Sequence, residues 1–237
     1  MISIIIPTLN EEEYLPWLLE SIKKQSFSDF EIIIADAGSK DKTLEIAGKY
    51  DLKVVPGGLP GKGKNSGANK AKGEVLLFLD ADTSLSEDFL EKSFAEFQKR
   101  KLDIAGFCLL PIQKNRINYL LFRYLYNLPI IALEKILPHA AAGIMIKKKF
   151  FAKLNGFDED IRIAEDHDLA RRSAKSGKYG IIKSAKLFIS DRRFRQDGWA
   201  KTFFKYVFCE FHMVLRGPVK SDILKYKFGH YRDGHSG

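Results

Sequence analysis

Cysteine is nearly absent from this chain, and the two present, Cys108 and Cys209, form neither a CxxC pair nor any metal-ligand spacing. That excludes a disulfide framework and reads as two buried thiols in a reducing compartment. Long hydrophobic runs are missing too. Arg123 and Glu134 interrupt the best candidate between Tyr119 and Leu137, and Lys201, Lys205 and Glu210 interrupt the next. Neither reaches the roughly 18 apolar residues of a spanning helix. No basic leader precedes the first apolar run at Ile2, and no small-residue cleavage site follows it, so a cytoplasmic protein is expected. What is present, 45% hydrophobic and 29% charged residues over 237 positions, suits a packed globule large enough for one α/β domain or two small ones.

Acidic residues are in deficit, and the deficit is uneven. The chain carries a net charge of +9, and from Lys186 to Gly237 eleven Lys and Arg stand against five Asp and Glu, leaving +6 in that stretch. The charge alone admits nucleic acid, acidic lipid or a phosphorylated substrate as a partner.

Strand and helix patterns alternate in the first half. Ile2–Ile6 is a β-branched run closed by Pro7, and Leu15, Leu18, Leu19 and Ile22 recur at helical spacing behind a candidate Asn10 cap. Glu31–Ala35 predicts a second strand, Asp41–Tyr50 a helix, Leu52–Val55 a third strand, and Lys64–Lys72 a helix after the loop Pro56–Gly63. A fourth strand, Glu74–Leu79, stops at Asp80. This order predicts a mainly parallel sheet with helices on both faces. In such sheets ligands bind beyond the carboxyl ends of the strands, and four polar loops fall there: Thr8–Glu13, Asp36–Thr43, Pro56–Lys64 and Asp80–Thr83. In the second half, Ile104–Leu110 and Gly143–Ile146 read as strands, and Asn115–Leu137 as helical with a break at Pro129. Asp166–Ser176 reads as a helix, Gly180–Ser190 as strand, and Trp199–Leu215 as a final amphipathic helix.

Asp80-Ala81-Asp82 follows the apolar strand directly, and two carboxylates two residues apart can face one hard cation, Mg²⁺ or Mn²⁺, with substrate phosphates completing its oxygen shell. A turn with helix-capping acids is the structural alternative. Gly61-Lys62-Gly63-Lys64-Asn65-Ser66-Gly67 offers backbone amides and two lysines for a diphosphate, or else a plain solvated turn. Glu165-Asp166 places carboxylates at a helix start, for catalysis or merely to cap it. Of the histidines, His139, His167 and His212 are candidate further metal ligands, but no spacing singles one out.

Taken together, the order of these motifs resembles glycosyltransferase family 2, the inverting enzymes of the GT-A fold, from Ile2 to about Trp199. Ile4–Glu12, with Pro7, Thr8, Asn10 and Glu11, looks like the opening nucleotide-binding strand and loop. Asp36-Ala37-Gly38-Ser39-Lys40-Asp41-Lys42-Thr43 is similar to the family's DDGSxDxT, with Ala37 in place of the second Asp. Asn65-Ser66-Gly67 followed by Ala71-Lys72-Gly73-Glu74 resembles the run leading to the metal motif, and Lys64 stands where Arg is common. Gly156-Phe157-Asp158-Glu159 and Glu165-Asp166 resemble a signature whose last Asp is the base. Asp191-Arg192-Arg193-Phe194 resembles a segment beside the diphosphate or acceptor.

The resemblance implies a GT-A domain over residues 1–198, its nucleotide-sugar half at 1–83 and its acceptor half at 84–198, with a basic amphipathic segment at 199–237. It implies Asp166 as catalytic base, and Asp82 with Asp80 as metal ligands. Pro7, Thr8, Asn10, Glu11, Asp36, Gly38, Ser39, Lys62, Lys64, Asn65, Asp80 and Ala81 would face a UDP- or GDP-sugar, and Glu165, Arg192 and Arg193 the acceptor or diphosphate. The basic tail and apolar helices add the expectation of a peripheral position on an anionic membrane, at the inner face of the cell membrane, and of a lipid-phosphate acceptor such as a polyprenyl phosphate. Two other classes compete: a sugar-phosphate nucleotidyltransferase, which places a Gly- and Arg-rich signature after the first strand where this chain has Pro7–Glu12, and a basic nucleic-acid-binding protein, in which a carboxylate array has no place.

Overall fold

In the computed structural model, which describes residues 1–113, 115–190, 192, 196 and 198–220, the run of β-branched residues at the start becomes β1, Ile2–Thr8, a strand with both faces buried. Apolar residues on both sides of the pleat are what a central strand of a covered sheet requires. There follow α1 (Leu15–Lys23), β2 (Phe30–Asp36), α2 (Thr43–Lys49), β3 (Lys53–Pro56), α3 (Pro60–Lys70) and β4 (Val75–Leu79). Strands β3, β2, β1 and β4 lie side by side and parallel, with Thr8 opposite Asp36 and Asp36 opposite Pro56. Their carboxyl ends are therefore level, and the loops that leave them share one edge.

The second half contributes β5 (Thr83–Leu85), α4 (Phe89–Lys99), β6 (Ile104–Pro111), α5 (Arg116–Leu121), a π-helical turn (Phe122–Asn127), α6 (Leu128–Ala132), β7 (Gly143–Lys147), α7 (Lys148–Lys153), α8 (Glu165–Ala174), β8 (Tyr179–Ile189) and α9 (Trp199–Arg216). One sheet holds all eight strands in the order β3-β2-β1-β4-β7-β6-β8-β5. Beyond β4 it is mixed: β7 is antiparallel to β4 and β6, β8 is parallel to β6, and β5 closes the edge antiparallel to β8.

Alternation along the strands splits the core in two. Ile4, Ile6, Leu77 and Leu79 pack with α1 and α4, whereas Ile5, Leu76 and Phe78 pack with α3, α7 and α8. Residues two apart share a face and neighbours do not, so each central strand feeds both layers. A small third cluster joins Cys209 and Met213 of α9 and Val219 to Ile163 and Ala164.

Several local expectations change. Asn10 does not cap α1, which starts at Leu15 with Tyr14 before it; Asn10 instead adopts φ 56° and accepts a hydrogen bond from the Lys40 amide at 2.8 Å. Helix α3 starts at Pro60, four residues earlier than expected, because proline suits a first helical turn where its missing N–H costs nothing. Gly61, Lys62 and Gly63 thus belong to a helix and not to a loop. No break occurs at Pro129, which sits in the first turn of α6 directly after the π turn. Strand β5 and helix α4 add to the elements expected.

Candidate active site

One end of the edge is organised by Asp36, the last residue of β2. Its Oδ1 accepts from the Thr8 hydroxyl at 3.0 Å and the Ser39 hydroxyl at 2.6 Å, and its Oδ2 from the backbone N–H groups of Gly38 and Ser39, both at 2.9 Å. Gly38 takes φ 90°, which a side chain would resist, so the turn can wrap the carboxylate. Ser39 Oγ in turn accepts the Asn10 amide at 2.9 Å, tying the loop after β1 to the loop after β2. Pro7, Thr8, Asn10, Asp36, Gly38 and Ser39, expected as neighbours from the sequence, come together here.

The acidic centre lies where β4 ends. Lys64, on α3, is 2% exposed, and its Nζ donates to Glu165 Oε1 at 2.8 Å and Asp166 Oδ1 at 2.6 Å while standing 3.7 Å from Asp80 Oδ1. The ring of Phe157 lies beneath the ammonium, 5.3 Å to its centroid. Glu165 and Asp166 open α8 yet do not cap it; Ala164, at φ 64°, holds the cap position and offers no side-chain acceptor. Burial pushes the Asp166 carboxyl up to about 7, and the charges of Glu165 and Asp80 add to the rise while Lys64 opposes it. Lys64 itself is held well above the usual range: burial works against its charge, and Asp166, Glu165 and Asp80 outweigh that.

A second buried cation serves the other carboxylate of the motif. Arg192 makes a two-pronged contact with Glu11, at 3.0 and 2.9 Å, stands 3.2 Å from Asp82 Oδ2 and lies over the Tyr14 ring at 4.7 Å. Two nearly parallel N–H···O contacts fix a planar guanidinium more firmly than a point-charge ammonium. Its charge is reinforced, since Asp82 and Glu11 outweigh the cost of burial. The Asp82 carbonyl accepts the Ser190 amide at 3.0 Å, and Ser190 Oγ accepts the Arg192 amide at 3.2 Å, so β8 delivers Arg192 to β4. Tyr14 and Ser190 belong to the site without any motif to announce them, whereas Phe157 comes from the Gly156–Glu159 motif.

Asp80 and Asp82 thus point to different partners, separated by the buried Ala81. Among the described residues, Glu11, Asp80, Asp82, Glu165 and Asp166 gather around two buried cations, Lys64 and Arg192. The Asp80 side chain keeps 40% of its surface accessible, so its hard oxygens remain within reach of a cation. Among the described residues no group of three His, Cys, Asp or Glu surrounds one point. Asp80 and Asp82 are the residues that could hold a divalent cation, with phosphate and water supplying its remaining ligands.

Of the other expected binders, two lie on α3 and one falls outside the described residues. The Asn65 side-chain amide is spent on the turn before α8: its Oδ1 accepts the Phe157 N–H at 2.9 Å, and its Nδ2 donates to the Phe157 carbonyl at 3.0 Å and to Glu159 at 2.9 Å. Lys62 is exposed on α3, next to Gly58. Arg193 lies outside the described residues, as do Asp191 and Phe194. Of the histidines, His139 and His167 stack with ring centroids 4.0 Å apart, and His139 Nε2 is 3.1 Å from the Tyr126 hydroxyl; His212 is on α9.

Comparison with known proteins gives these features a context. The family model described as Glycosyl transferase family 2 matches residues 3–153. The poly(ribitol-phosphate) beta-N-acetylglucosaminyltransferase TarS of Staphylococcus aureus is 37% identical over 112 residues, covering 43% of this chain and 20% of that protein. An uncharacterized glycosyltransferase of Haemophilus influenzae is 32% identical over 180 residues, 71% of this chain and 60% of its own length. The chain therefore spans less than two thirds of these relatives. In three dimensions it is similar to S. aureus TarS 1–349 in complex with UDP-GlcNAc, with TM-score 0.67, 22% identity, 96% of this chain and 76% of that one. It is also similar to the mannosyltransferase PcManGT of Pyrobaculum calidifontis in complex with GDP-Man and Mn²⁺, with TM-score 0.66, 18% identity, 87% of this chain and 64% of that one.

Proposed function

Since the chain belongs to glycosyltransferase family 2, we propose that it transfers a sugar from a nucleoside-diphosphate sugar to an acceptor, with inversion at the anomeric carbon. The observation that carries this reading is the convergence of the Asp36 turn, the Asp80-Ala81-Asp82 carboxylates and the Lys64-bound Asp166 on the carboxyl edge of β1, β2 and β4. The UDP-GlcNAc complex of TarS and the GDP-Man and Mn²⁺ complex of PcManGT support a nucleotide-sugar donor and a divalent metal. Asp82 and Asp80 would hold Mg²⁺ or Mn²⁺, which supplies positive charge for the departing diphosphate. Asp166 would take the acceptor proton, and Arg192 adds a fixed cation beside Asp82. The segment after the first strand, Pro7–Glu12, lacks the Gly- and Arg-rich signature of a nucleotidyltransferase.

Release of nucleoside diphosphate from UDP- and GDP-sugars with Mn²⁺ tests the reading. Asp82→Asn should lower turnover by about 10² or more while the protein still melts cooperatively. Undiminished turnover in EDTA would overturn the metal assignment, and absence of turnover with every donor and acceptor class would overturn the reading itself.

The acceptor side carries a second observation. Phe204, Phe208, Phe211 and Leu215 of α9 are exposed and, with Val207, His212 and Arg216, line an apolar groove of about 620 Å³; Ile117, Leu125 and Leu128 are exposed on the α5–α6 stretch. Apolar faces beside Arg216 and Lys201 suit the headgroup layer of an anionic bilayer and a lipid-phosphate acceptor. No helix among the described residues is long and apolar enough to cross a membrane.

A further inference from the structure

Lys64 was expected to face the donor phosphates, but its surroundings assign it another task. The side chain is buried on α3, its ammonium donates to two carboxylates of α8, and Asp80 at the end of β4 is 3.7 Å away. Phe157 closes the space below it. Two of its three N–H groups are donated to carboxylates, so swinging the ammonium outward to a phosphate would give up those bonds and strand two carboxylates in a buried place. We infer that Lys64 is a positioning residue: it grips Asp166 by Oδ1, leaves Oδ2 to receive the acceptor proton, and fixes the distance from that base to the Asp80 end of the donor site. This inference rests on Asp166 being the base.

Three consequences of the geometry follow. Glu165 and Asp166 are adjacent carboxylates whose mutual repulsion is relieved by one shared cation. Asp166 stands on α8 and Asp80 on β4, so Lys64, from a third element, sets the span between proton acceptor and donor. A neutral residue of similar length keeps the packing on Phe157 and loses the grip.

The test compares Lys64→Met and Lys64→Arg in the full chain, using the nucleotide sugar and metal that wild type turns over, and the corresponding nucleoside diphosphate for calorimetry. Lys64→Met should lower kcat by about 10², within the range of general-base catalysis, with donor KM and nucleoside-diphosphate affinity changed by less than about threefold. Lys64→Arg should recover most of that loss. Nucleoside-diphosphate binding weakened about tenfold or more at unchanged kcat would overturn the inference and return Lys64 to the phosphate. Should Lys64→Met fail to fold, Lys64→Met/Glu165→Gln removes one charge of each sign; its kcat should stay low, and wild-type kcat in it would overturn the inference. If wild type turns over no donor, the functional reading fails on its own, and melting still reports the grip. Lys64→Met should then melt below wild type, adding Asp166→Asn should restore part of the loss, and no restoration would overturn it.

Discussion

A single carboxyl group sets two opposed pH trends. Asp166, raised to about 7 by burial and by its acidic neighbours, is favoured in its neutral form by the fold, so the stability tied to it is full at low pH and is lost as pH rises through 7. As a base it behaves the other way, becoming competent over the same interval. The melting temperature of Asp166→Asn minus that of wild type should therefore increase from about pH 4 to about pH 7 and level off above it, while donor turnover by wild type rises toward pH 8. A flat difference would show that Asp166 ionises as an ordinary solvent carboxylate. The types of these residues were legible from sequence: Asp36, Asp80, Asp82 and Asp166 were identifiable because motif order places them after strands or at a helix start. Their partners were not. Arg192 and Glu11 lie 181 positions apart, and Lys64 and Asp166 lie 102 apart, so local spacing gave no hint that two cations divide the carboxylates between them. Asn65 shows the same limit: its motif suggested nucleotide, and its amide is taken up by the backbone of Phe157.

Among the elements, α3 shows how glycine misleads. Its run of glycines reads as a phosphate-binding loop, yet the residues are helical, and Gly63 and Gly67 let the helix approach the sheet. A Cβ on Gly67 would come within 2.4 Å of Ile5 Cγ2, closer than real atoms pack. Gly67→Leu should thus push α3 off β1, cost about 1–3 kcal/mol of stability and displace Lys64 from α8. Denaturant unfolding and donor turnover would both register the change, and a variant as stable and active as wild type would refute the close-approach role. The four parallel strands were legible because each is a short apolar run between turn signals; β5, three residues long, has too few positions for any period to show.

For the molecule as a whole, sequence predicted a mainly parallel sheet, and the antiparallel insertion of β7 between β4 and β6 is the part it did not disclose. Strand direction depends on which distant segments pair, and the apolar pattern of Gly143–Lys147 would look the same in either sense. The apolar face of α9 is also a property of the whole, since its other side is anchored through Cys209, Met213 and Val219 to Ile163 and Ala164, just before Glu165 and Asp166. If that face lies on a bilayer, the protein should sediment with acidic liposomes at low salt, and Phe208→Asp together with Phe211→Asp should abolish it. Equal recovery in the supernatant with and without vesicles would remove the membrane from the account.

The contacts that complete the site also fix its place in the order of folding. The pairs Lys64–Glu165, Lys64–Asp166 and Arg192–Glu11 span 101, 102 and 181 positions, so each closes a long loop before it returns any energy. The Asp36 turn, whose contacts reach two to 28 residues, closes much shorter loops. Loop closure thus predicts that the Asp36 turn is protected before the acidic centre during refolding; pulsed hydrogen exchange at the Gly38 and Ser39 amides against those of α8 checks this, and simultaneous protection would refute it.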